Sequence, residues 1–379
     1  MSNQIPFETP GSRPGVRGPG RPKIRILVVD DSVVIRRFLA HALNEEPGFE
    51  VVGFAVNGAQ ALTKAAELKP DVITLDIEMP EMDGLETVRR LRQQASKACV
   101  IMCSTLTSRG ASATIDALVM GANDYVTKPC HNGPMEAALK TLTDELVPKI
   151  RQFFDPHLAV PRLPAAAASS PRKTAAPLAA GPHFVKAPLP KIVAIGVSTG
   201  GPTALMEIMR QFPASFPLPV VIVQHMPPLF TKLLADRLND QCSLEVMEAS
   251  AGLPVKAGRV VIAPGDFHMR LRRSTSKEVS VVLDQGPQEN SCRPAVDVLF
   301  RSVGELYDGA AIGVILTGMG QDGLHGVEQL KSKGAYIVAQ DRSSSVVWGM
   351  PGAVVEAGLA DAVLGLREVV PEIFRQVAR

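Results

Sequence analysis

The chain has 379 residues, 46% of them hydrophobic but only 4% aromatic, so two domains with mainly aliphatic cores are expected. Its 40 basic and 38 acidic residues leave a net charge of +2, which gives no electrostatic footprint for nucleic acid as a partner. No apolar run approaches the roughly 18 residues of a membrane span, so direct membrane insertion is not expected. Cys99, Cys103, Cys130, Cys242 and Cys292 form no C-x-x-C pair and read mostly as small buried hydrophobes in a reducing compartment. The expectation is a cytoplasmic, soluble monomer.

Residues 1–23, MSNQIPFETPGSRPGVRGPGRPK, hold Pro, Gly and Arg without an apolar h-region and read as a disordered tail. From there IRILVVD, VVIRRFLAHALNE, FEVVGFA, GAQALTKAAEL, DVITLD, GLETVRRLRQQ, CVIMCS, ASATIDALVMG, DYVTK and a last helix from about Met135 alternate apolar runs with amphipathic segments. These are five βα units over residues 24–147, and near-continuous Val/Ile/Leu strands imply a parallel sheet covered on both faces. Residues 148–189 are dominated by Ala and Pro and read as a semi-extended linker. A second block, 190–379, opens with KIVAIGV and continues with LPVVIVQ, RVVIAP, VSVVLD, AAIGVILT and AYIVA, again a doubly wound α/β pattern, larger and less regular.

Ligands of open parallel sheets bind beyond the carboxyl ends of the strands. In the first block those ends carry Asp30-Asp31, Asp76, Ser104-Thr105 and Lys128-Pro129. Converging carboxylates repel one another unless a cation sits among them, and hard oxygens at incomplete coordination suit Mg²⁺. Asp76 is then placed to attack a phosphoryl group. Asp31 taken alone reads equally well as a helix cap. On the motifs LVVDDS, TLDIEMPEMDG and DYVTKP, residues 24 to about 147 resemble the receiver domain of two-component response regulators, a flavodoxin-like (βα)5 fold. The resemblance implies that Asp76 accepts phosphate from a histidine kinase, that Asp30 and Asp31 join it in holding Mg²⁺, and that Lys128 pairs with the phosphoryl group. It further implies Ser104 as the switch hydroxyl, with Thr105 a bulkier neighbour than usual, Tyr125 as the rotating aromatic, and a cis Lys128–Pro129 bond.

VAIGVSTGGP, residues 193–202, fits two incompatible templates. As G-x-S-x-G it is a strand-to-helix turn exposing a nucleophilic Ser198; as G-x-G-x-x-G it is a dinucleotide fingerprint. The second needs a glycine where Ser198 stands and an acid at the end of the next strand, where LPVVIVQ runs into His225. Both substitutions suit an esterase instead: Ser198 as nucleophile, His225 as base, and Asp322 in LTGMGQDG to orient the imidazole. His268 is the second choice of base, Asp266 and Asp341 are weaker alternatives for the acid, and His325 reads as a surface-turn residue.

IGVSTGGP, VQHMPPLFT, VIAPGDFHM, SCRPAVDVLF and LTGMGQDG make residues 191 to about 370 resemble the chemotaxis protein-glutamate methylesterases and glutamine deamidases. The resemblance implies Ser198, His225 and Asp322 as the catalytic set, a Met319 backbone amide in the oxyanion hole, and Thr199 helping to shape the site. It implies chemoreceptors as substrate and no metal at the ester site. The unphosphorylated receiver is expected to pack over the Ser198 crevice until Asp76 is phosphorylated.

Overall fold

The computed structural model describes residues 22–105, 107–128, 135–154, 188–275 and 277–379. The tail through residue 21, the Lys128–Pro129 bond, Cys130 and the Ala/Pro-rich stretch from 155 to 187 lie outside them. The first five aliphatic runs become β1 (Ile24–Val29), β2 (Phe49–Ala55), β3 (Val72–Asp76), β4 (Cys99–Thr105) and β5 (Asp124–Lys128). They pair in the parallel order β2-β1-β3-β4-β5. Every residue of β3 is buried, as a strand covered on both faces must be. Between them lie α1 (Val33–Glu45), α2 (Gly58–Leu68), α3 (Gly84–Gln93) and α4 (Ser108–Val119), and after them α5 (Met135–Phe154). Ser32, Asn57, Asp83 and Thr107 each accept a backbone N–H at the start of the helix that follows, caps worth about 1 kcal/mol apiece.

α5 runs past residue 147 to Phe154, because its last turns have partners. Lys149 Nζ lies 3.2 Å from Asp124 Oδ1, and the buried Gln152 donates to Asp124 Oδ2 at 3.1 Å.

The second unit is built of β6 (Val193–Val197), α6 (Gly201–Met209), β7 (Val220–Gln224), α7 (Phe230–Asn239), β8 (Glu245–Glu248), β9 (Arg259–Ile262), β10 (His268–Arg273) and β11 (Val279–Asp284). It continues with α8 (Val296–Tyr307), β12 (Ile312–Ile315), α9 (Leu324–Ser332), β13 (Tyr336–Gln340), α10 (Met350–Glu356), β14 (Ala362–Leu364) and α11 (Leu366–Val377). Seven strands form a parallel sheet in the order β14-β13-β12-β6-β7-β9-β8. VSVVLD, expected among the sheet strands, pairs antiparallel with β10 in a separate hairpin. Its own pattern explains this, since Val281 is its only fully buried residue and a central parallel strand would be buried on both faces.

The two units pack directly on one another. Helix α4 lies against α6 and α7, and one hydrophobic core runs without a break from the first sheet into the second. Thr203 Oγ1 donates to the Leu118 carbonyl at 2.7 Å, Arg237 pairs with Asp116, and the Tyr125 ring stacks on Phe230.

Candidate active site and phosphoacceptor site

In the first sheet the strand order reverses between β1 and β3, so Asp30 and Asp76 face one another across the crevice. Lys128 Nζ bridges them, 2.8 Å from an oxygen of each. Burial pushes the Asp76 carboxyl up to about 6 from the usual 3.8, Lys128 pulls it back, and Asp30 adds to the rise. One oxygen from each of Asp30, Asp31 and Asp76 falls within 4.8 Å of the others, an all-oxygen donor set that fits a hard divalent cation. A cavity of about 270 Å³ beside them is lined by Asp31, Asp76, Thr105 and Lys128. Ser104 is fully buried and donates to the Gly110 carbonyl at 3.1 Å, while Thr105 holds the cavity edge. Tyr125 is turned inward, 7% exposed.

The second site is assembled around β6, whose neighbours are β7 on one side and β12 on the other. Ser198 follows β6, His225 follows β7, and Asp322 lies in the loop after β12. Three residues far apart in sequence thus meet at one sheet edge, at the point where the strand order reverses. Ser198 N donates to the Thr317 carbonyl at 3.0 Å and His225 N to the Val197 carbonyl at 3.2 Å, which ties the three strand ends together. Gly200, at φ +77°, makes the left-handed turn into α6 that a side chain would strain. Gly318 lets the Met319 loop close on Ser198, since a Cβ there would stand 2.7 Å from the Ser198 Cβ.

His225 Nε2 and Asp322 Oδ2 are 2.8 Å apart, with side chains 12% and 2% exposed. Asp322 also accepts from Val296 N at 2.6 Å, Asp297 N at 3.2 Å, Gly323 N at 3.0 Å and Asn290 Nδ2 at 2.9 Å. Val296 and Asp297 open α8, so the positive end of that helix adds to the hold on the carboxylate. Burial alone would raise the Asp322 pKa; His225 and the amide donors outweigh it and keep the carboxyl below its ordinary range. Burial likewise works against a charged His225, but the bonds to Asp322 and Cys292 outweigh it and raise the imidazole pKa. The remaining ring nitrogen, Nδ1, faces Cys292 Sγ at 3.6 Å. Among the described residues, no hydrogen bond engages Ser198 Oγ.

A cavity of about 900 Å³ joins Ser198, Thr199, His225, Cys292 and Met319 to Tyr125, Lys149 and Gln152 of the first unit. Thr199 Oγ1 donates to Gln152 Oε1 at 3.3 Å, so the end of α5 reaches to the residue beside Ser198. The other candidates lie elsewhere or are otherwise engaged. His268 is buried, with Nδ1 accepting from Ala295 N at 3.3 Å and Nε2 2.9 Å from the Pro287 carbonyl oxygen. Asp266 borders the cavity but is held by Arg293, and Asp341 is closed into a turn by Ser343 and Ser344. His325 lies exposed on the first turn of α9 beside Glu328, rather than on a turn outside a helix.

The sequence profile of the response regulator receiver domain matches residues 26–140, and that of CheB methylesterase matches residues 193–373. A protein-glutamate methylesterase/protein-glutamine glutaminase of Trichodesmium erythraeum is 51% identical, over 94% of this chain and 99% of its own length. The chain belongs to that family. The Thermotoga maritima member of the protein-glutamate methylesterase/protein-glutamine glutaminase family is 43% identical over 93% of this chain and 98% of its own length. The crystal structure of the T. maritima CheB methylesterase catalytic domain is 46% identical, covering 49% of this chain and 98% of that one, with a TM-score of 0.48. The T. maritima CheB response regulator domain is also 46% identical, covering 34% and 95%, with a TM-score of 0.32.

This methylesterase-family chain places at the site residues that its sequence leaves without a role: Asn290, Cys292 and Asp297 around His225 and Asp322, and Lys149 and Gln152 along the cavity. Asn290 and Cys292 lie in an irregular stretch, where only the motif SCRPAVDVLF drew attention to the neighbourhood. Cys292, unlike the buried Cys99 and Cys103, is only partly buried and stands at the His225 ring. Among the described residues no helix is long and apolar enough to cross a membrane.

Proposed function

We propose that the second unit hydrolyses glutamate γ-methyl esters of chemoreceptors, and deamidates their glutamines, with Ser198 as nucleophile, His225 as base and Asp322 as its anchor. The observation that carries this is the 2.8 Å His225–Asp322 contact set at the strand end next to Ser198. Asp322 engages Nε2, so Nδ1 is the nitrogen left to take the Ser198 proton, the reverse of the ring usage in trypsin-like triads. The imidazolium so formed is stabilised by Asp322. The tetrahedral oxyanion is held by backbone N–H of the Met319 loop, a donor type worth about 3 kcal/mol to the transition state. His225 then returns the proton to the departing methanol, or to ammonia from a glutamine. Water completes the turnover by attacking the glutamyl-enzyme, and Thr199 shapes the pocket beside the nucleophile.

The first unit controls access. Asp76 takes a phosphoryl group from a histidine kinase; Asp30, Asp31 and Asp76 would hold Mg²⁺, which would supply charge neutralisation to the phosphoryl oxygens. Ser104 leaves the Gly110 carbonyl for the new phosphoryl oxygens, and Lys128 stays paired with them. A group carrying close to two negative charges shifts the local balance enough to bias a docked unit toward release. The Gln152–Thr199 contact and the shared cavity support occlusion as the resting state. Methanol release from methylated receptor, measured with and without a small phosphodonor, tests both halves. An unchanged rate on phosphorylation would remove the gating, and no release at all would remove the substrate assignment.

A further inference from the structure

We infer that His225 and Cys292 form an inhibitory binding site for a soft divalent cation of the zinc type. Cys292 Sγ and His225 Nδ1 are 3.6 Å apart. A tetrahedral zinc with Zn–S of about 2.3 Å and Zn–N of about 2.0–2.1 Å spans two such donors at about 3.6 Å. The pair therefore has the spacing of one edge of that tetrahedron before any ion arrives. The imidazole is also prepared on its far side. Asp322 accepts from Nε2 at 2.8 Å and is itself fixed by amide donors, which leaves Nδ1 as the ring atom that faces the thiol. Carboxylate behind histidine in this way orients a ligand ring and raises its basicity. Both donors line the 900 Å³ cavity, which leaves room for water in the other coordination positions.

The two metal-capable clusters among the described residues differ in kind. Asp30, Asp31 and Asp76 offer only hard oxygens, whereas His225, Cys292 and Asp322 include nitrogen and sulfur. Softness therefore sorts Mg²⁺ to the first cluster and zinc to the second. Binding displaces the thiol proton, and the Nδ1 proton where the ring is charged, to solvent, so affinity rises with pH. It also occupies the nitrogen that takes the Ser198 proton; the inhibition rests on the reading of His225 as base, the metal site itself does not.

The test uses the full chain in excess Mg²⁺, with Zn²⁺ in the esterase assay and Co²⁺ as the spectroscopic probe. Zinc lowers methanol release, a chelator restores it, and Cys292→Ser raises the half-inhibitory zinc concentration at least about tenfold against its own zinc-free rate. One equivalent of Co²⁺ gives a thiolate-to-cobalt charge-transfer band that Cys292→Ser abolishes and Cys242→Ser keeps. Ser198→Ala keeps the band as well, so the site is measured independently of turnover. A band lost only in Cys242→Ser, or no band at all, overturns the site. A Cys292-dependent band with undiminished methanol release overturns the inhibition and the assignment of His225, leaving the metal site in place.

Discussion

The rings of Tyr125 and Phe230 stack with centroids 4.8 Å apart and 12° between their planes, one from each half of the chain. Tyr125 ends its stack under Lys149 Nζ, 4.7 Å from the ring centroid, and Phe230 opens the helix that follows the His225 loop. The receiver's aromatic residue is therefore part of the contact between the two units beside the cleft. A stack of this kind contributes about 1 kcal/mol beyond the area it buries. Tyr125→Ala should raise methanol release by the unphosphorylated chain about fivefold and shrink the gain from phosphorylation. An unchanged basal rate would take Tyr125 out of the coupling.

Removing the receiver should do more than loosening it. Residues 185–379 alone should hydrolyse methyl esters faster than the unphosphorylated full chain, with phosphorylation of the full chain closing much of the gap. Equal rates for the fragment and the unphosphorylated chain would mean that Gln152, Lys149 and Tyr125 do not obstruct the site.

Ser198→Ala and His225→Ala should each lower kcat by about 10³-fold or more, and the double variant should be hardly worse than either. Ser198 makes no side-chain hydrogen bond among the described residues, so Ser198→Ala should keep the thermal midpoint of the parent. Steady-state methanol release and a melting curve check this pair of outcomes. Multiplicative losses in the double variant would show two independent contributions.

The bonds to Asp322 and Cys292 raise His225's proton affinity above the ordinary histidine value of 6.5, against the effect of burial. The neutral ring is the proton acceptor, so activity should be lost as pH falls through this raised value. The rising limb of kcat/KM for the phosphorylated chain should therefore lie on the alkaline side of 6.5. A limb at or below 6.5 would contradict the strong Asp322 contact.

Asp76 titrates near 6 in the folded chain against 3.8 for an ordinary aspartate. Its ionisation therefore costs stability, a cost absent below about pH 4 and complete above about pH 6. The rise from 3.8 to about 6 corresponds to at most about 3 kcal/mol. In Mg²⁺-free buffer Asp76→Asn should raise the unfolding midpoint at pH 8 and lose that advantage toward pH 4. The same variant should take no stable label from a small phosphodonor in Mg²⁺. Destabilisation at pH 8 would assign the carboxylate a net structural role instead.

The strand ends were legible because period and residue type coincide there. Val/Ile runs that stop at Asp30, Asp76, Ser198 and His225 announce both a parallel sheet and what it presents at its edge. β8, EVME, and β10, HMRLRR, were not legible, being short and charged, and VSVVLD gave the right element in the wrong sheet. Cys292 and Asn290 stayed hidden for another reason. They reach the site from an irregular segment whose path is set by what it packs on, not by its own periodicity. Gln152 was hidden because α5, with bonds to Asp124 in its last turns, continues beyond residue 147, where the sequence places the start of the linker.

The order of the two units along the chain has its own consequence. Domains emerge from the ribosome and fold in sequence order, at about 5–20 residues per second. The surface formed by α4, β5 and the end of α5 is complete before Ser198 is synthesised. Asp322 comes later still, so the Ser198, His225 and Asp322 cluster is completed only after the surface that packs beside it already exists. On the occlusion proposed above, a newborn molecule would begin with its site already covered and only a basal rate of turnover.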